Sequence, residues 1–452
     1  MEHHANNIQD YIKPGRTVHL VGIGGISMQS LGPVFRGMGL KVTGSDKTSS
    51  ATTDKLIAQG IKIYFGHYPE NVRGADFVVR TAAVHDDNPE IMAARAAGIP
   101  VFERAQAWGM IMKAYKNAIC ISGTHGKTST TAMVTHILMA AQWDPTVMIG
   151  GFLPLIHDAY RVGKGDTIVL ESCEYCDSFL SFFPTLAVVL NIEEDHVDYF
   201  ENLKAIERSF HKFADAATKG VLANGDDANT LEALEGLRYV TFGLGEHNRV
   251  RGVNVSEDWQ HLDVTCDGEF YCHLDLKVLG RHNALNAIAA AGTAWMLGIP
   301  GEAVTRGLES FLGASRRLEY KGSFNGADIY DDFAHHPSEM AVTLDVIAKL
   351  GYKRVVVCFQ PYTYTRTKTM LHQFAEQLKR VDLAIVSEIM AARETDTLGI
   401  SSHDLTALVP GSIYVETLAD MTAKIKELAR PGDMFVTMGC GNVNLAAEAL
   451  FK

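Results

Sequence analysis

The sequence predicts an α/β protein made of three consecutive domains. Its 452 residues suffice for about three domains of roughly 150 residues each. Short apolar strands alternate with helical segments along the chain, which is typical of helix-covered parallel sheets. Two of these strands end in glycine-rich turns, near Gly22 and near Gly123. We expect the domains to span residues 1–113, 114–313 and 314–452.

The composition disfavours several classes of partner. A net charge of −12 lacks the basic surface that nucleic-acid binding requires. The sequence contains no run of about 18 apolar residues, so we expect no membrane-spanning helix. Seven scattered cysteines favour free thiols in a reducing compartment, and the Cys173-x-x-Cys176 spacing alone is a poor indication of zinc. We therefore expect a cytoplasmic protein, either a monomer or a homodimer.

In the first third, a glycine turn follows the predicted strand at residues 17–21. The turn reads Gly22-Ile-Gly24-Gly25-Ile26-Ser27, and the next strand ends at Asp46. This approximates the dinucleotide fingerprint of a Rossmann-like sheet, although its third glycine is absent. The pattern fits a dinucleotide redox cofactor and a nucleotide-sugar diphosphate, because both place a diphosphate at a helix N-terminus. Thr81 ends another predicted strand, so we expect it to line the same cleft.

The central stretch, NAICISGTHGKTSTT at residues 117–131, predicts a phosphate-binding loop and a sheet of the P-loop ATPase type. Backbone N–H groups and the helix N-terminus point at an anion in such a loop, and lysine adds a positive charge. The general pattern has four residues between its glycines and this chain has two, so an ordinary glycine turn is the alternative. We expect a triphosphate to bind at Gly123, Thr124, His125, Gly126, Lys127, Thr128 and Ser129.

Polar residues at the ends of two buried strands predict a metal site beside this loop. Glu171 and His196 each follow an apolar strand. A nucleotide-bound Mg²⁺ needs oxygen ligands, which Glu171 and the Thr128 hydroxyl can supply. His196 could bind a second metal ion, although imidazole is a less usual ligand of Mg²⁺. Helix capping by Asp195 or Asp198 is the alternative.

Further along, residues 249–279 alternate between apolar and polar, as antiparallel strands do. His282, Asn283 and Asn286 then begin an alanine-rich helix. Amides at such a helix start can read an adenine edge through paired donors and acceptors. Helix capping by Asn283 is the alternative.

In the last third, polar clusters follow four predicted strands, which indicates the rim of a second Rossmann-like parallel sheet. The clusters contain Asp332, His335, Arg366 and Arg393. An arginine is more often a solvated surface charge than a ligand, but a shared position at strand ends favours a functional role.

Taken together, these motifs resemble the Mur ligase family of peptidoglycan synthesis over the whole chain. Gly123-Thr-His-Gly-Lys-Thr128 is similar to that family's own phosphate loop, which accounts for the missing residues. His282-Asn283-x-x-Asn286 and Asp332-Phe-Ala-His335 are similar to two more of its signatures. Phe333, Tyr362 and Met390 depart from the pattern, since the family usually has Tyr, His and Tyr there.

The resemblance implies an ATP-dependent ligase. Segments 22–28, 173–179, 360–367 and 388–394 are similar to the branch that joins L-alanine to UDP-N-acetylmuramate through an acyl phosphate. It implies that residues 22–28 bind UDP, and that ATP and Mg²⁺ are bound by Lys127, Thr128, Glu171 and His196. It implies that the adenine contacts His282, Asn283 and Asn286, and that Arg317 and Asp332 complete the nucleotide site. His335 and Arg366 are implied to contact the incoming amino acid. Arg393 is assigned to the substrate.

Three alternatives stay open. A related ligase attaches a whole murein tripeptide to the same nucleotide sugar, and segment 388–394 disfavours it. A nicotinamide-dependent dehydrogenase could use residues 22–46, but it would leave Lys127 unexplained. A non-catalytic nucleotide switch on the same folds would bind the ligands without turnover.

Overall fold

The computed structural model describes residues 8–25, 28–81, 83–196, 199–392 and 394–452. Three β-sheets, each with helices beside it, follow one another along the chain, which confirms the predicted α/β architecture. Ile26, Ser27 and Arg393, which we assigned to substrate binding, lie outside the described residues.

The first sheet is parallel throughout. Its elements are β1 (Thr17–Val21), α1 (Leu31–Gly37), β2 (Lys41–Asp46), α2 (Ala51–Ala58), β3 (Lys62–Phe65), β4 (Phe77–Arg80), α3 (Pro89–Ala96), β5 (Val101–Glu103) and α4 (Arg104–Met112). The strand order is β3-β2-β1-β4-β5, so the order reverses between β1 and β4. In open parallel sheets ligands bind at this reversal point.

The second sheet has ten strands. Its elements are β6 (Asn117–Ser122), α5 (Lys127–Ala140), β7 (Thr146–Leu153), β8 (Asp158–Arg161), β9 (Thr167–Glu171), β10 (Leu186–Val189), α6 (Leu203–Asp215), β11 (Gly220–Asn224), α7 (Ala228–Ala233), β12 (Val240–Gly243), β13 (Val250–Val253), β14 (His261–Cys266), β15 (Glu269–Asp275), α8 (Arg281–Met296) and α9 (Gly301–Glu309). The order is β15-β14-β13-β12-β11-β10-β6-β9-β7-β8. Strands β13, β14 and β15 pair antiparallel, as the alternation of residues 249–279 predicts.

The third sheet has six strands. Its elements are β16 (Glu319–Phe324), β17 (Ala327–Asp332), α10 (Pro337–Ile347), β18 (Arg354–Phe359), α11 (Tyr364–Thr369), α12 (Leu371–Leu378), β19 (Leu383–Ser387), α13 (Ser402–Ala407), β20 (Ile413–Val415), α14 (Leu418–Leu428), β21 (Asp433–Met438) and α15 (Asn444–Glu448). The order is β16-β17-β21-β18-β19-β20, and only β16 pairs antiparallel.

Strand β6 has all six residues buried, because helices cover both faces of the central sheet. Its neighbours β9 and β10 are also buried runs, and the three strands end at the same edge of the sheet. The loops after these strands therefore meet, which places the phosphate loop beside the segments that follow Glu171 and Val189. Within the described ranges, no helix is both long and apolar enough to cross a membrane.

Helices α5 and α9 approach closely at Gly307. A Cβ added there would lie 2.7 Å from the Cα of Ile137, which is backbone and cannot move aside alone. We predict that Gly307→Ala lowers the free energy of unfolding by about 1–3 kcal/mol, because overpacking forces the two helices apart. The lower urea midpoint of the variant measures the effect. Arg306→Ala, on the exposed face of the same helix, is the control, and an equal midpoint for both variants would contradict the prediction.

Candidate active site

The phosphate loop connects β6 to α5 through two glycines with positive φ angles. Gly123 has a φ of 140° and Gly126 a φ of 82°, a region that favours glycine. A Cβ at Gly126 would also lie 2.5 Å from Oδ1 of Asn286. Glycine at 126 therefore permits both the turn and the close approach of helix α8. The turn ends at the first residue of α5, Lys127, so the N–H groups of the first helical turn face the loop.

The loop is fixed to the segment that follows β10. The N–H groups of Thr124 and His125 donate to Asn191, to its carbonyl at 3.0 Å and to its Oδ1 at 2.8 Å. The N–H of Glu193 donates to Oγ1 of Thr124 at 2.8 Å. These contacts hold the loop in its conformation. The sequence analysis did not single out Asn191 or Glu193.

Lys127 points into a polar environment. Its Nζ donates to the carbonyls of Gly123 at 2.5 Å and Thr124 at 3.0 Å, and it lies 3.2 Å from Oε2 of Glu174. The lysine side chain is 13% exposed and that of Glu174 only 2%. Burial alone would lower the pKa of Lys127, but the carboxylates of Glu174 and Glu171 raise it above its usual value. Lys127 is therefore a permanently charged ammonium at the loop.

Thr128 and Glu171 lie together, as predicted. The Thr128 hydroxyl donates to Oε1 of Glu171 at 3.0 Å, and the N–H of Gly150 donates to Oε2 at 2.7 Å. Position 150 has no room for a side chain, because an added Cβ would lie 2.6 Å from Oε1 of Glu171. A hydroxyl and a carboxylate oxygen held side by side suit a hard cation such as Mg²⁺.

His196 joins this group through a residue that the sequence analysis did not assign to the metal. Its Nε2 lies 3.6 Å from Oε1 of Glu174, and that oxygen is buried with no hydrogen-bond partner among the described residues. A buried carboxylate oxygen without a donor is costly, and a cation would satisfy it. The sulfur of the neighbouring Cys173 belongs to the same group of possible ligand atoms, within 4.8 Å of those of Glu174 and His196. Thr128 with Glu171, and Glu174 with His196, are thus two pairs of side chains that suit divalent cations.

The alternative role of Asp195 as a helix cap is wrong. Helix α6 begins at Leu203, and the Asn202 side chain caps it by accepting from the N–H of Ala205 at 3.0 Å. Asp195 instead accepts from Nη2 of Arg366 at 2.8 Å, and both side chains are buried. The other proposed cap, Asp198, lies outside the described residues.

A cavity of about 430 Å³ opens beside the loop, between the second and third sheets. It brings together most of the residues assigned to the nucleotide, and its lining includes His125, Gly126, Ser129, His282, Asn283, Asn286, Arg317 and Asp332. The alternative of helix capping by Asn283 is wrong, because Gly280 is the N-cap of α8 without a side-chain cap, and the Asn283 side chain donates to the carbonyl of Leu279 at 2.9 Å. The size and mixed lining suit a purine nucleotide.

Asp332 is one of two acidic residues of the third domain that line this cavity, and Glu339 is the other. It is 4% exposed and accepts from the N–H groups of Leu318 at 2.7 Å and Ala334 at 2.8 Å. Burial raises its pKa to about 6, although Arg317 and these two donors oppose the rise. At neutral pH the group is mainly a carboxylate that accepts hydrogen bonds.

His125 connects the loop to the third domain. Its Nε2 lies 2.9 Å from the Ser338 hydroxyl and 3.3 Å from Oε2 of Glu193, and its Nδ1 lies 3.4 Å from Oε1 of Glu339. Burial lowers the pKa of His125, but the two carboxylates outweigh burial and raise it to about 9. His125 is therefore an imidazolium between two acids, one from each domain.

Glu339 lies at the centre of three predicted site residues. Besides His125, it lies 3.1 Å from Nδ1 of His335 and 3.7 Å from Nη1 of Arg317. It is 12% exposed, and its contacts with His335 and His125 hold its pKa well below the usual value despite burial. The sequence analysis missed it. Its position four residues after His335, in the first turn of α10, was the available signal.

The first-domain turn lies at the reversal point between β1 and β4. Gly22 follows β1 and Thr81 follows β4, and a Cβ at Gly22 would lie 2.8 Å from Cγ2 of Thr81. Oδ2 of Asp46 accepts from the N–H of Gly24 at 2.8 Å. Gly22, Gly24, Gly25, Asp46 and Thr81 therefore share one corner of the sheet, as predicted.

The three departures from the family pattern also lie together. The rings of Phe333 and His335 are 5.6 Å apart, and those of His335 and Tyr362 are 6.4 Å apart. Tyr362 forms a parallel bridge with Met390. These residues surround His335, at the position assigned to the incoming amino acid.

Comparisons with known proteins agree with this geometry. The family model described as "Mur ligase family, catalytic domain" matches residues 17–116, "Mur ligase middle domain" matches residues 121–294, and "Mur ligase, glutamate ligase domain" matches residues 316–441. The UDP-N-acetylmuramate--L-alanine ligase of Caldanaerobacter subterraneus subsp. tengcongensis is 40% identical over 456 residues, covering 97% of this chain and 97% of the relative.

Solved structures show the same architecture. A UDP-N-acetylmuramate-alanine ligase from Thermotoga maritima aligns with a TM-score of 0.80 at 29% identity, covering 96% of this chain and 98% of the other. A murein peptide ligase from Psychrobacter arcticus 273-4 aligns with a TM-score of 0.75 at 23% identity, covering 97% and 98%, and shows the fold alone. With all three family domains matched in order along one chain, this protein belongs to the Mur ligase family.

Proposed function

We propose that the protein is an ATP-dependent ligase that joins L-alanine to UDP-N-acetylmuramate during peptidoglycan precursor synthesis. The observation that carries the proposal is the cavity beside the phosphate loop, which collects the nucleotide residues of two domains in a chain similar over its full length to ligases of this name. A cytoplasmic location stays a prediction.

The proposal divides the binding of the substrates among the three domains. Residues 1–113 bind the UDP sugar at the turn formed by Gly22, Gly24 and Gly25. Residues 114–313 bind ATP at the loop, with the adenine near His282, Asn283 and Asn286. Residues 314–452 add Arg317 and Asp332 to the nucleotide site and present His335 and Arg366 to the amino acid. The cavity beside the loop supports the roles of the second and third domains, the ion pairs of His335 and Arg366 support their place at the contact between these domains, and the turn at the reversal point of the first sheet supports UDP-sugar binding there.

In the first step, an oxygen of the muramoyl carboxylate attacks the γ-phosphorus of ATP. A carboxyl O–P bond forms, the bond to the β-phosphate oxygen breaks, and ADP leaves. Two anions approach each other, so cations must offset the repulsion. Lys127 and Arg317 are the chain's own cations for this task. A Mg²⁺ ion held by Thr128 and Glu171 would supply further positive charge to the phosphates, and Glu174 with His196 would hold a second ion.

In the second step, the amine of L-alanine attacks the acyl carbon as the free base. The new C–N bond forms and the C–O bond to phosphate breaks, which releases inorganic phosphate. The proton leaving the nitrogen needs an acceptor, and Nε2 of His335 is suited because its Nδ1 faces the Glu339 carboxylate. Contact between the second and third domains excludes water and protects the acyl phosphate from hydrolysis.

The tripeptide ligase is the second candidate function. The solved murein peptide ligase shares the fold at 23% identity, so the fold is compatible with either amine. The departures at Phe333, Tyr362 and Met390 fall beside His335, where the amine would bind. The identity of the amine therefore needs a direct test.

We predict that phosphate release requires ATP, UDP-N-acetylmuramate and L-alanine together. A colorimetric phosphate assay with each component omitted in turn measures the requirement, and a mixture of L-alanine with the murein tripeptide identifies the preferred amine by mass spectrometry of the product. Release without the UDP sugar would contradict the ligase proposal. A tripeptide product in preference to the alanine product would favour the second candidate.

We predict opposite defects for substitutions in the two glycine turns. Lys127→Ala should lower kcat at least about 100-fold, because it removes a charge that stabilises the transferring phosphoryl group, and it should leave UDP-sugar affinity unchanged. Gly24→Val should weaken UDP-sugar binding about tenfold or more, because a Cβ there would lie 2.8 Å from Oδ2 of Asp46, and it should spare ATP binding. Calorimetric titration of each ligand decides. The reverse pattern would exchange the roles of the two turns.

We predict that the contact between the second and third domains weakens at alkaline pH. His125 has a raised pKa in this conformation, so its ion pairs are fully formed below its ordinary value of 6.5 and are lost as pH rises through about 9. Small-angle X-ray scattering from pH 6 to pH 10 should show the radius of gyration increase. His125→Gln should remove that dependence, and His372→Gln, at an exposed position, should retain it. An identical profile for the wild type and His125→Gln would refute the role of His125.

A further inference from the structure

The hairpin of β14 and β15 carries a symmetric set of metal-binding side chains outside the site described above. Both strands contain the tripeptide His-Leu-Asp, at residues 261–263 and 273–275. The antiparallel register places His261 opposite Asp275 and Asp263 opposite His273, with the two leucines paired between them. The hairpin therefore presents two histidines and two aspartates in a four-membered group with approximate two-fold symmetry.

Strand alternation directs all four polar side chains to one face. Leu262 and Leu274 are 1% and 0% exposed and pack in the core of the central domain. The side chains of His261 and His273 are 58% and 50% exposed, on the opposite face. Strand β13 lies beside β14 in the same sheet. Asn254, which follows β13, donates to Oδ2 of Asp263 at 2.7 Å. The group is thus ordered at one edge and open to solvent.

The distances suit a small ion. Nδ1 of His261 lies 2.6 Å from Oδ1 of Asp275, and Nε2 of His273 lies 3.3 Å from the same oxygen. One ligand atom from each of these three residues lies within 4.8 Å of the other two. In a tetrahedral zinc site with bonds of about 2.0–2.1 Å, neighbouring ligand atoms are about 3.3 Å apart. Small rotations of the exposed side chains would reach this spacing.

We propose that this hairpin binds one divalent transition-metal ion of the Zn²⁺ type through Nδ1 of His261, Nε2 of His273 and Oδ1 of Asp275. Asp263 does not reach the ion but orients the His273 ring, because its Oδ1 lies 2.6 Å from Nδ1 of that imidazole. Two neutral imidazoles and two carboxylates balance a charge of two. Imidazole nitrogen favours Zn²⁺, Ni²⁺ or Cu²⁺ over Mg²⁺ and Ca²⁺, so the ion differs in class from one held by the nucleotide phosphates. Isolated surface ion pairs contribute little to the free energy of folding. The stabilisation from the two His–Asp pairs therefore does not explain why the four side chains are arranged in this way.

Binding would act on an exposed strand. β15 is the outer strand of the ten-stranded sheet, and beyond its pairing with β14 it contacts helix α9. An ion that binds His261 of β14 together with His273 and Asp275 of β15 would link this edge strand to its neighbour. These coordination bonds would add to the backbone hydrogen bonds between the two strands. The expected consequence is a higher midpoint of thermal unfolding when the metal is bound.

The test uses the full-length chain freed of metal by a chelator, with Zn²⁺ added in the presence of excess Mg²⁺. We expect calorimetric titration to show one more equivalent of bound Zn²⁺ in the wild type than in the double variant His261→Gln with His273→Gln. His247→Gln is the matched control, because His247 is an exposed histidine beside a single aspartate, Asp226, at 3.5 Å. It should retain the wild-type stoichiometry. Zn²⁺ bound at Cys173, Glu174 and His196 is common to all three proteins and cancels.

A second readout separates metal binding from misfolding. Without metal, the thermal midpoints of the three proteins should agree, and Zn²⁺ should raise the midpoint more in the wild type and His247→Gln than in the double variant. If the double variant unfolds in the chelator, each single variant is titrated instead and should bind Zn²⁺ at least tenfold more weakly at this site. Equal stoichiometry and equal midpoint shifts in the wild type and the histidine variants would overturn the proposal and leave the His–Asp pairs as surface ion pairs.

Discussion

The site depends on cationic side chains that are each paired with a carboxylate. Lys127 is paired with Glu174, His125 with Glu193 and Glu339, and Arg366 with Asp195. A buried ion without a partner would cost several kcal/mol, so cations kept ready for phosphate need counter-ions until the phosphate arrives. The carboxylates perform that task while they hold the cations in position. Nucleotide binding then exchanges one set of anions for another, which avoids creating a new buried charge.

The same pairs connect the domains. His125 and Asp195 belong to the central domain, whereas Glu339 and Arg366 belong to the third. Domain contact and charge arrangement are therefore coupled, because separating the domains would take His125 away from Glu339 and Asp195 away from Arg366. This coupling gives a physical reason for a reaction in which the acyl phosphate forms only when water is excluded. The glycines contribute space, since Gly126 allows Asn286 to approach the loop and Gly150 allows Glu171 to reach Thr128.

Much of the fold was predictable because it follows from local patterns. The apolar run at residues 17–21 has the same bounds in the structure as strand β1, and the alternation of residues 249–279 appears as the antiparallel strands β13, β14 and β15. The start of α6 was not predictable in this way. Several acidic and amide residues in that stretch could cap a helix, and only the backbone shows that Asn202 does so.

The sequence alone was enough to predict the phosphate loop, the first-domain glycine turn, the order of the three sheets and eight of the residues that line the cavity beside the loop. These features are encoded within short segments whose neighbours in the chain are also neighbours in space. Tertiary structure alone decided that Glu174 faces Lys127 and His196, that Glu339 joins His125 to His335, and that Asp195 pairs with Arg366, 171 positions away in the chain. Such contacts depend on how the edges of separate sheets face each other, and no local pattern of residues specifies that orientation.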